Sequence, residues 1–521
     1  MSGQVKGLLW RTARHFVTKG LMQDANRIWA DQPHEINRAI DKVEQAWSLT
    51  HDPRIAIQLV TMYDQANRSQ DALAILREAF RHHPTDALVR HHAAITLLRH
   101  GAKAHIRDFF DSVLRIDPGD AFARFVVSML DSYETWVAEV VGQLRSRQAG
   151  RRPFIISCPV WGQSFASKFV RYLCATLLAP NNMPRLAERY SVHFAIFTTA
   201  ETESHLKADK QFARLAERAS VHFLRYDESN VKYGPAMEAC YGQQNVFYSN
   251  QPLSFYYARN CKFVLMSCAH YVALAAGRAA DAFVSCLVAD TILSNGALSL
   301  MAERLEGTSD AVLVNCLHLD GDAARARMDA FRRGDGAIEI APQDCARLAV
   351  EHLPAFNFAD AHDLPRIPLR VCWRVGPQGV LVHGNHYHPK GLRPKAFGHP
   401  LHLSIDPVDS RFIDRTSLTM DRIHLVRDSS IMALSIEDGP MPEQLTQAER
   451  PLSIDDAAFW LWGYWGRLRG ALFRSPLRLG SASPEEWAAA EARAMAVVDA
   501  IVDRAADFEE GNWKRATWRL P

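Results

Sequence analysis

The chain predicts an α-helical repeat unit followed by an α/β unit with a mostly parallel sheet, closed by a helical C-terminal segment. Three observations predict this. Residues 35–145 repeat themselves at a helical period, short apolar runs alternate with helical patterns from residue 154 onward, and EEWAAAEARAMAVVDAIVDRAADF (485–508) reads as one closing helix.

At 521 residues the chain exceeds one ordinary core, and roughly 150 residues per domain implies two to four units. Forty-eight per cent hydrophobic and 23% charged residues indicate a folded protein. Lys plus Arg (60) nearly balances Asp plus Glu (58), so no global basic field points to nucleic acid as a partner. The nine cysteines lie between Cys158 and Cys372, none in a C-x-x-C pair and most in apolar runs. That pattern suits small buried hydrophobes in a reducing compartment better than a disulfide framework or zinc ribbon. The first twenty residues lack the apolar core of a signal peptide, and no run approaches the ~18 apolar residues of a membrane span. A cytoplasmic location is the expectation.

After a helical lead-in (1–34), the 35–145 region is rich in Ala, Leu, Arg and His. Pro84 recurs as Pro118, Asp86 as Asp120, Ala87 as Ala121, Phe80 as Leu114 and Asn67 as Gly101, each 34 positions apart. A period of that length belongs to helix-turn-helix solenoids, whose units bury their apolar faces against their neighbours. The region resembles tetratricopeptide repeats. Tyr63, Ala72, Ala79 and Pro84 stand at that family's aromatic, small, small and proline positions, and Leu97, Ile106, Val113 and Pro118 follow in the next unit. The resemblance implies a concave surface for a protein or peptide partner.

RSRQAGRRP, ending in Pro153, reads as a linker over 146–153. Strand-like runs then fall at 154–160, 192–198, 221–226, 281–290 and 310–319, with helical patterns at 167–179, 203–218, 255–278 and 297–307 between them. That alternation argues a sheet covered on both faces. LRVCWRV, GVLVHGNHYHP and RIHLVRD add strands, so the α/β unit is expected over 154–440 and a helical segment over 441–521.

In such sheets ligands bind beyond the carboxyl ends of the strands. Three strand ends, in order, resemble glycosyltransferases of the GT-A fold, a Rossmann-like class that binds nucleotide-diphospho-sugars. IISCPVWGQSF ends in Pro159, Trp161 and Gly162, a turn that lies against a nucleotide base in that family and is equally what a packed Trp produces. FAIFTTAE carries Thr198, Thr199 and Glu201 where the family has an Asp pair. SCLVADTILSNG carries Asp290 and, further on, Asn295; Val288 replaces the first residue of the family's Asp-x-Asp. In that family the carboxylates anchor a divalent ion, Mn²⁺ or Mg²⁺, that neutralises the leaving diphosphate. The resemblance therefore implies a degenerate metal motif resting on Asp290.

VLVHGNHYHPKGLRP supplies His383, His386 and His388, with Lys390 and Arg393 just beyond. Such a turn suits a diphosphate, or places His386 beside Asp290 as a second metal ligand; it also reads as a polar surface loop. Asp320, in LHLDGD, stands where a transferase wants a carboxylate to deprotonate the acceptor, although Asp-Gly-Asp is also ordinary turn chemistry. AFWLWGYWGRLRG suits either aromatic packing or a peripheral membrane contact, the former being favoured.

Two functions are expected from these residues. One is a glycosyltransferase moving a sugar from a nucleotide-sugar donor to a protein or glycan acceptor recruited by the repeats. The other is an interaction protein whose transferase-like unit does not catalyse.

Overall fold

The computed structural model describes residues 3–509 apart from 32–34, 67, 101–102, 147–149, 233–246, 249–250, 360–363, 365–369, 385–386, 400, 406–407, 409–411, 414–415, 437–452, 456, 459–460 and 462–467. Its contacts divide it into two compact units: 1–130 with 454–464 and 503–521, and 131–453 with 465–502. Of AFWLWGYWGRLRG, residues 459–460 and 462–467, with all its tryptophans, lie outside the described residues.

The first unit is built of consecutive helices: α1 (Gly3–Asp31), α2 (Ile36–Thr50), α3 (Pro53–Gln65), α4 (Ser69–His82), α5 (Ala87–His100), α6 (Lys103–Ile116) and the start of α7 (Ala121–Ser146). In α2 the buried residues Ile36, Ala39, Ile40, Val43, Ala46 and Trp47 recur three and four apart, the stripe that makes a helix bury one face. The repeat has a local cause. Asp86 Oδ1 accepts from Val89 N at 3.0 Å and Asp120 Oδ1 from Ala123 N at 2.8 Å, so the residues 34 apart are successive helix caps. Arg90 ties one repeat to the next through ion pairs to Asp117 at 3.0 Å and Asp120 at 3.1 Å.

The unit boundary falls inside α7, upstream of the polar 146–153 stretch expected as a linker. The reason lies in the apolar face of the second half of α7. Trp136 meets Phe197 and Tyr226 edge-on at 5.6 and 5.5 Å, and the Tyr133 hydroxyl donates to Leu401 O at 3.0 Å.

The second unit holds β1 (Pro153–Pro159), β2 (Ser191–Thr198), β3 (Ser220–Arg225), β4 (Phe247–Tyr248), β5 (Gln251–Pro252), β6 (Phe283–Cys286), β7 (Ile292–Leu293), β8 (Ala311–Leu319), β9 (Arg370–Val375), β10 (Gln378–Gly384), β11 (Tyr387–Leu392), β12 (Ile423–Leu425), β13 (Ala433–Ile436) and β14 (Leu477–Ser481). The main sheet runs β3-β2-β1-β6-β11-β8-β13-β7, with β12 also on β8. β3, β2, β1 and β6 are parallel, β11 is antiparallel to both β6 and β8, and β12 and β13 run parallel to β8. β9, β10 and β14 form a separate antiparallel sheet.

β1 is buried along its whole length, as a strand covered on both faces must be. Leu298, Met301 and Leu305 of the helix Ala297–Glu306 join Val312 and Val314 in the core of one face. On the other lies the helix Leu253–Ala280, where Ala269 O accepts from Ser157 Oγ at 3.0 Å. Its Cys261–Ala280 stretch is long and apolar enough to cross a membrane, but 67% of its most apolar window is buried within the protein, as in a core helix. The expected 203–218 helix is two, Ala200–Ala208 and Lys210–Ala216, because Asp209 stops the first and caps the second. The closing helix spans Pro484–Glu509. The architecture is therefore that of helix pairs, then a mixed, mostly parallel α/β sheet, then a C-terminal helix.

Candidate functional site

The strand order reverses between β1 and β6: β2 and β3 are added on one side, β11 and β8 on the other. A crevice opens at such a switch point, beyond the carboxyl ends of the two strands. Chain segments 160–162 and 287–290 leave the sheet there.

On the β1 side, Pro159 is buried and Trp161 is half-buried, edge-on to Tyr226 at 5.6 Å. Gly162 adopts φ +79 and ψ 149, and its N–H donates to Thr202 Oγ1 at 3.2 Å. Thr202 also accepts from Thr199 Oγ1 at 3.1 Å, while Thr199 caps the helix Ala200–Ala208 by accepting from Thr202 N at 3.3 Å. One threonine pair thus joins the turn after β1 to the helix after β2. Thr198 is buried at the end of β2, and its hydroxyl has no partner among the described residues. Glu201 is exposed in the first helical turn, and it is Glu203 that is buried, bound by Arg225 at 2.6 and 3.1 Å and by Lys207.

On the β6 side the expected strand of 281–290 stops at Cys286. Asp290 lies four residues further, in a turn closed by Thr291 N donating to Val288 O at 3.1 Å. Its Oδ2 accepts from Ser435 Oγ on β13 at 3.0 Å. Leu287 N donates to Ser157 O at 2.8 Å, which brings the 287–290 segment to the end of β1; burial first, and the Asp290 carboxylate second, push the Cys158 thiol there well above its usual range. Ser435 pairs in register with His318 on β8. Two residues on, Asp320 stands exposed, ahead of the helix Gly321–Asp329. Pro159, Trp161, Gly162, Thr198, Thr199, Asp290 and Asp320 therefore share one edge of the sheet.

Other residues do not join them. Asn295 is taken up by the fold: its Oδ1 accepts from Asn181 N at 2.9 Å and its Nδ2 donates to Glu339 at 3.2 Å. The expected His383–His388 loop is not one surface loop, because its ends belong to different sheets. His383 lies on β10, fully buried, with Nδ1 2.8 Å from Phe473 O and its ring edge-on to Trp373 at 5.4 Å. His388 lies on β11, buried and stacked on His270 at 6.2 Å. His386 lies outside the described residues.

Lys390 is fully buried, donating to Tyr387 O and, at 2.8 Å, to Val408 O. Arg393 reaches the opposite edge of the sheet, because β11 runs against its neighbours. There it pairs with Asp310 at 3.5 Å and donates to Leu305 O. β8 separates Asp310 from Asp320, a span of roughly 30 Å at a strand rise of ~3.3 Å. Arg393 and Asp290 thus cannot share one diphosphate.

The donor set also tests the expected metal. Asp290 offers a single carboxylate, with one oxygen already engaged by Ser435. Among the described residues no trio of His, Cys, Asp and Glu ligands includes it. His386, the expected second ligand, lies outside the described residues; with Asp290 alone, Mg²⁺ or Mn²⁺ would rely on the phosphates for most of its ligands.

Sequence reasoning missed Thr202 and Ser435. Thr199-x-x-Thr202 was readable as a capping pattern. Ser435, 145 residues from Asp290, carries no such signal.

No protein family and no curated protein matches the chain. Among solved structures it bears distant similarity to glycosyltransferases. A mutant O-GlcNAc transferase of Thermobaculum terrenum shares 12% identity over 44% of this chain and 45% of that one, with a TM-score of 0.19. Mouse xyloside xylosyltransferase 1 in its apo form shares 10% over 32% and 52%, with a TM-score of 0.20. The chain thus spans about half the length of each. At these scores neither superposition defines the fold, which rests on the strand order described above.

Proposed function

We propose that the α/β unit is a glycosyltransferase that holds a nucleoside-diphosphate sugar in the crevice between the ends of β1 and β6. The carrying observation is that Asp290, Trp161 and the Thr199–Thr202–Gly162 junction share the sheet edge where the strand order reverses. In this reading Trp161 flanks the base, the buried Thr198 and the Thr199–Thr202 pair hold the turn beside it in place, and Asp290 orients the sugar or a diphosphate-borne ion. Asp320 takes the proton of the acceptor hydroxyl as its oxygen bonds the anomeric carbon and the bond to the diphosphate breaks. The helical unit recruits a protein or peptide acceptor. It bears an apolar cavity of about 320 Å³ lined by Leu73, Leu76, Phe80, Leu97 and Phe109 among others.

A second reading, an interaction protein with a non-catalytic α/β unit, is favoured by one observation. The cationic residues expected at a diphosphate, Lys390 and Arg393, are committed to the interior and to the far edge.

Thermal-shift titration of the full chain with nucleoside diphosphates and their sugars, with and without Mn²⁺, separates the two. Stabilisation by one nucleotide, lost in Asp290→Asn, supports the transferase. A melting temperature unmoved by every nucleotide sinks it.

A further inference from the structure

In the helical unit α2 and α4 end side by side, and three ligand-bearing side chains meet there. Glu78 and His82, four residues apart, share one face of the last turns of α4. His51 is the residue that ends α2. Its ring centroid lies 4.3 Å from that of His82, its Nε2 lies 3.6 Å from Glu78 Oε1, and the ligand atoms of all three lie within 4.8 Å of one another.

The surroundings favour this arrangement. His51 has φ +52, a left-handed conformation that a side chain adopts only at a cost and that helix ends usually give to glycine. It is held there by its N–H donating to Trp47 O at 2.8 Å and by His83 Nε2 against its carbonyl. Trp47 Nε1 stands 3.3 Å from Glu78 Oε2, which leaves Oε1 turned toward His51. Outer hydrogen bonds of this kind orient a carboxylate ligand.

We propose that His51, Glu78 and His82 form a site for a divalent transition ion of the zinc class, with a fourth position open to solvent. Two imidazole nitrogens and one carboxylate oxygen suit zinc, whereas Mg²⁺ and Ca²⁺ prefer oxygen alone. Bonds of about 2.0–2.1 Å require tetrahedral ligand atoms some ~3.4 Å apart, so the ion draws the three together by about an ångström. His82 is exposed, which provides the entry path. The bound ion fastens the end of α2 to the last turn of α4. It is independent of the nucleotide crevice.

The test is equilibrium dialysis of the chelator-stripped full chain against micromolar Zn²⁺, comparing wild type with His51→Asn and His82→Ala. Asparagine tolerates the left-handed conformation, and His82 is exposed, so metal-free melting curves should match. Wild type is expected to hold one more equivalent of zinc than either variant, and to give a tetrahedral Co²⁺ absorption band that both variants lack. Equal zinc content in wild type and His82→Ala would overturn the proposal, as would a Co²⁺ band that persists in His51→Asn.

Discussion

Asp290 Oδ2 accepts a hydrogen bond of 3.0 Å from Ser435 Oγ, joining the turn beyond β6 to β13, a strand that the sequence places 145 residues away. Through Ser435 and its register partner His318, Asp290 and Asp320 come to the same edge of the sheet. If this pair orders the crevice, Asp290→Asn abolishes nucleotide binding while the fold persists. Ser435→Ala weakens binding several-fold and costs about 1 kcal/mol of stability, the usual net value of one hydrogen bond. Calorimetric titration of both variants checks the ranking.

Gly162 predicts a backbone effect without a packing effect. A Cβ there meets nothing within 4 Å, but φ +79 with ψ 149 is a region almost reserved for glycine. Gly162→Ala is expected to lose about 1–3 kcal/mol. Urea unfolding should show the midpoint falling with an unchanged slope.

Asn182 is buried and supports the LSNG stretch that follows Asp290. Its Nδ2 donates to Thr176 O at 2.9 Å and Ser294 O at 3.0 Å, and its Oδ1 accepts from Gly296 N at 3.1 Å and Leu298 N at 3.2 Å. Asn182→Ala leaves Gly296 N and Leu298 N without their acceptor, while the Thr176 and Ser294 carbonyls keep bonds from Ala179 N and Ala297 N, and should cost about 2 kcal/mol or more. Asn182→Asp should be worse, since a carboxylate would face two carbonyl oxygens. Differential scanning calorimetry ranks the pair.

Acid should destabilise the protein in two stages. His270 is buried, and that burial, opposed by its bond to Leu287 O and aided by the charge of Lys390, holds it down at about 4. An unfolded histidine titrates near ~6.5, so this contribution is complete above that pH and is lost as pH falls toward 4, up to about 3 kcal/mol. Glu203 acts lower. Its hydrogen bond from Arg225 leads the causes that depress it, so its stabilisation is complete above the unfolded carboxylate value of ~4.3 and is lost as pH falls through the folded value. Urea melts from pH 7 to pH 3 should show His270→Gln flattening the upper stage and Glu203→Gln the lower.

Much of the architecture was legible because it is local. Asp86 and Asp120 cap their own helices, the apolar stripe of α2 follows from its own spacing, and β1, β2 and β8 end within a residue or so of the apolar runs that announce them. The placement of the candidate site residues was legible in part. The turn after β1 and the threonines after β2 sit at strand ends, which neighbouring residues define.

What the sequence determined by itself is the kind and order of elements, since capping, periodicity and burial stripes depend on residues a few positions apart. What only the tertiary structure decided is direction and partnership. β11 enters the sheet reversed between β6 and β8, which carries Lys390 inside and Arg393 to the far edge; His383 and His388 fall on different sheets; and Asp290 finds Ser435. Strand order and register arise from contacts between residues tens to more than a hundred positions apart, and no local pattern encodes them.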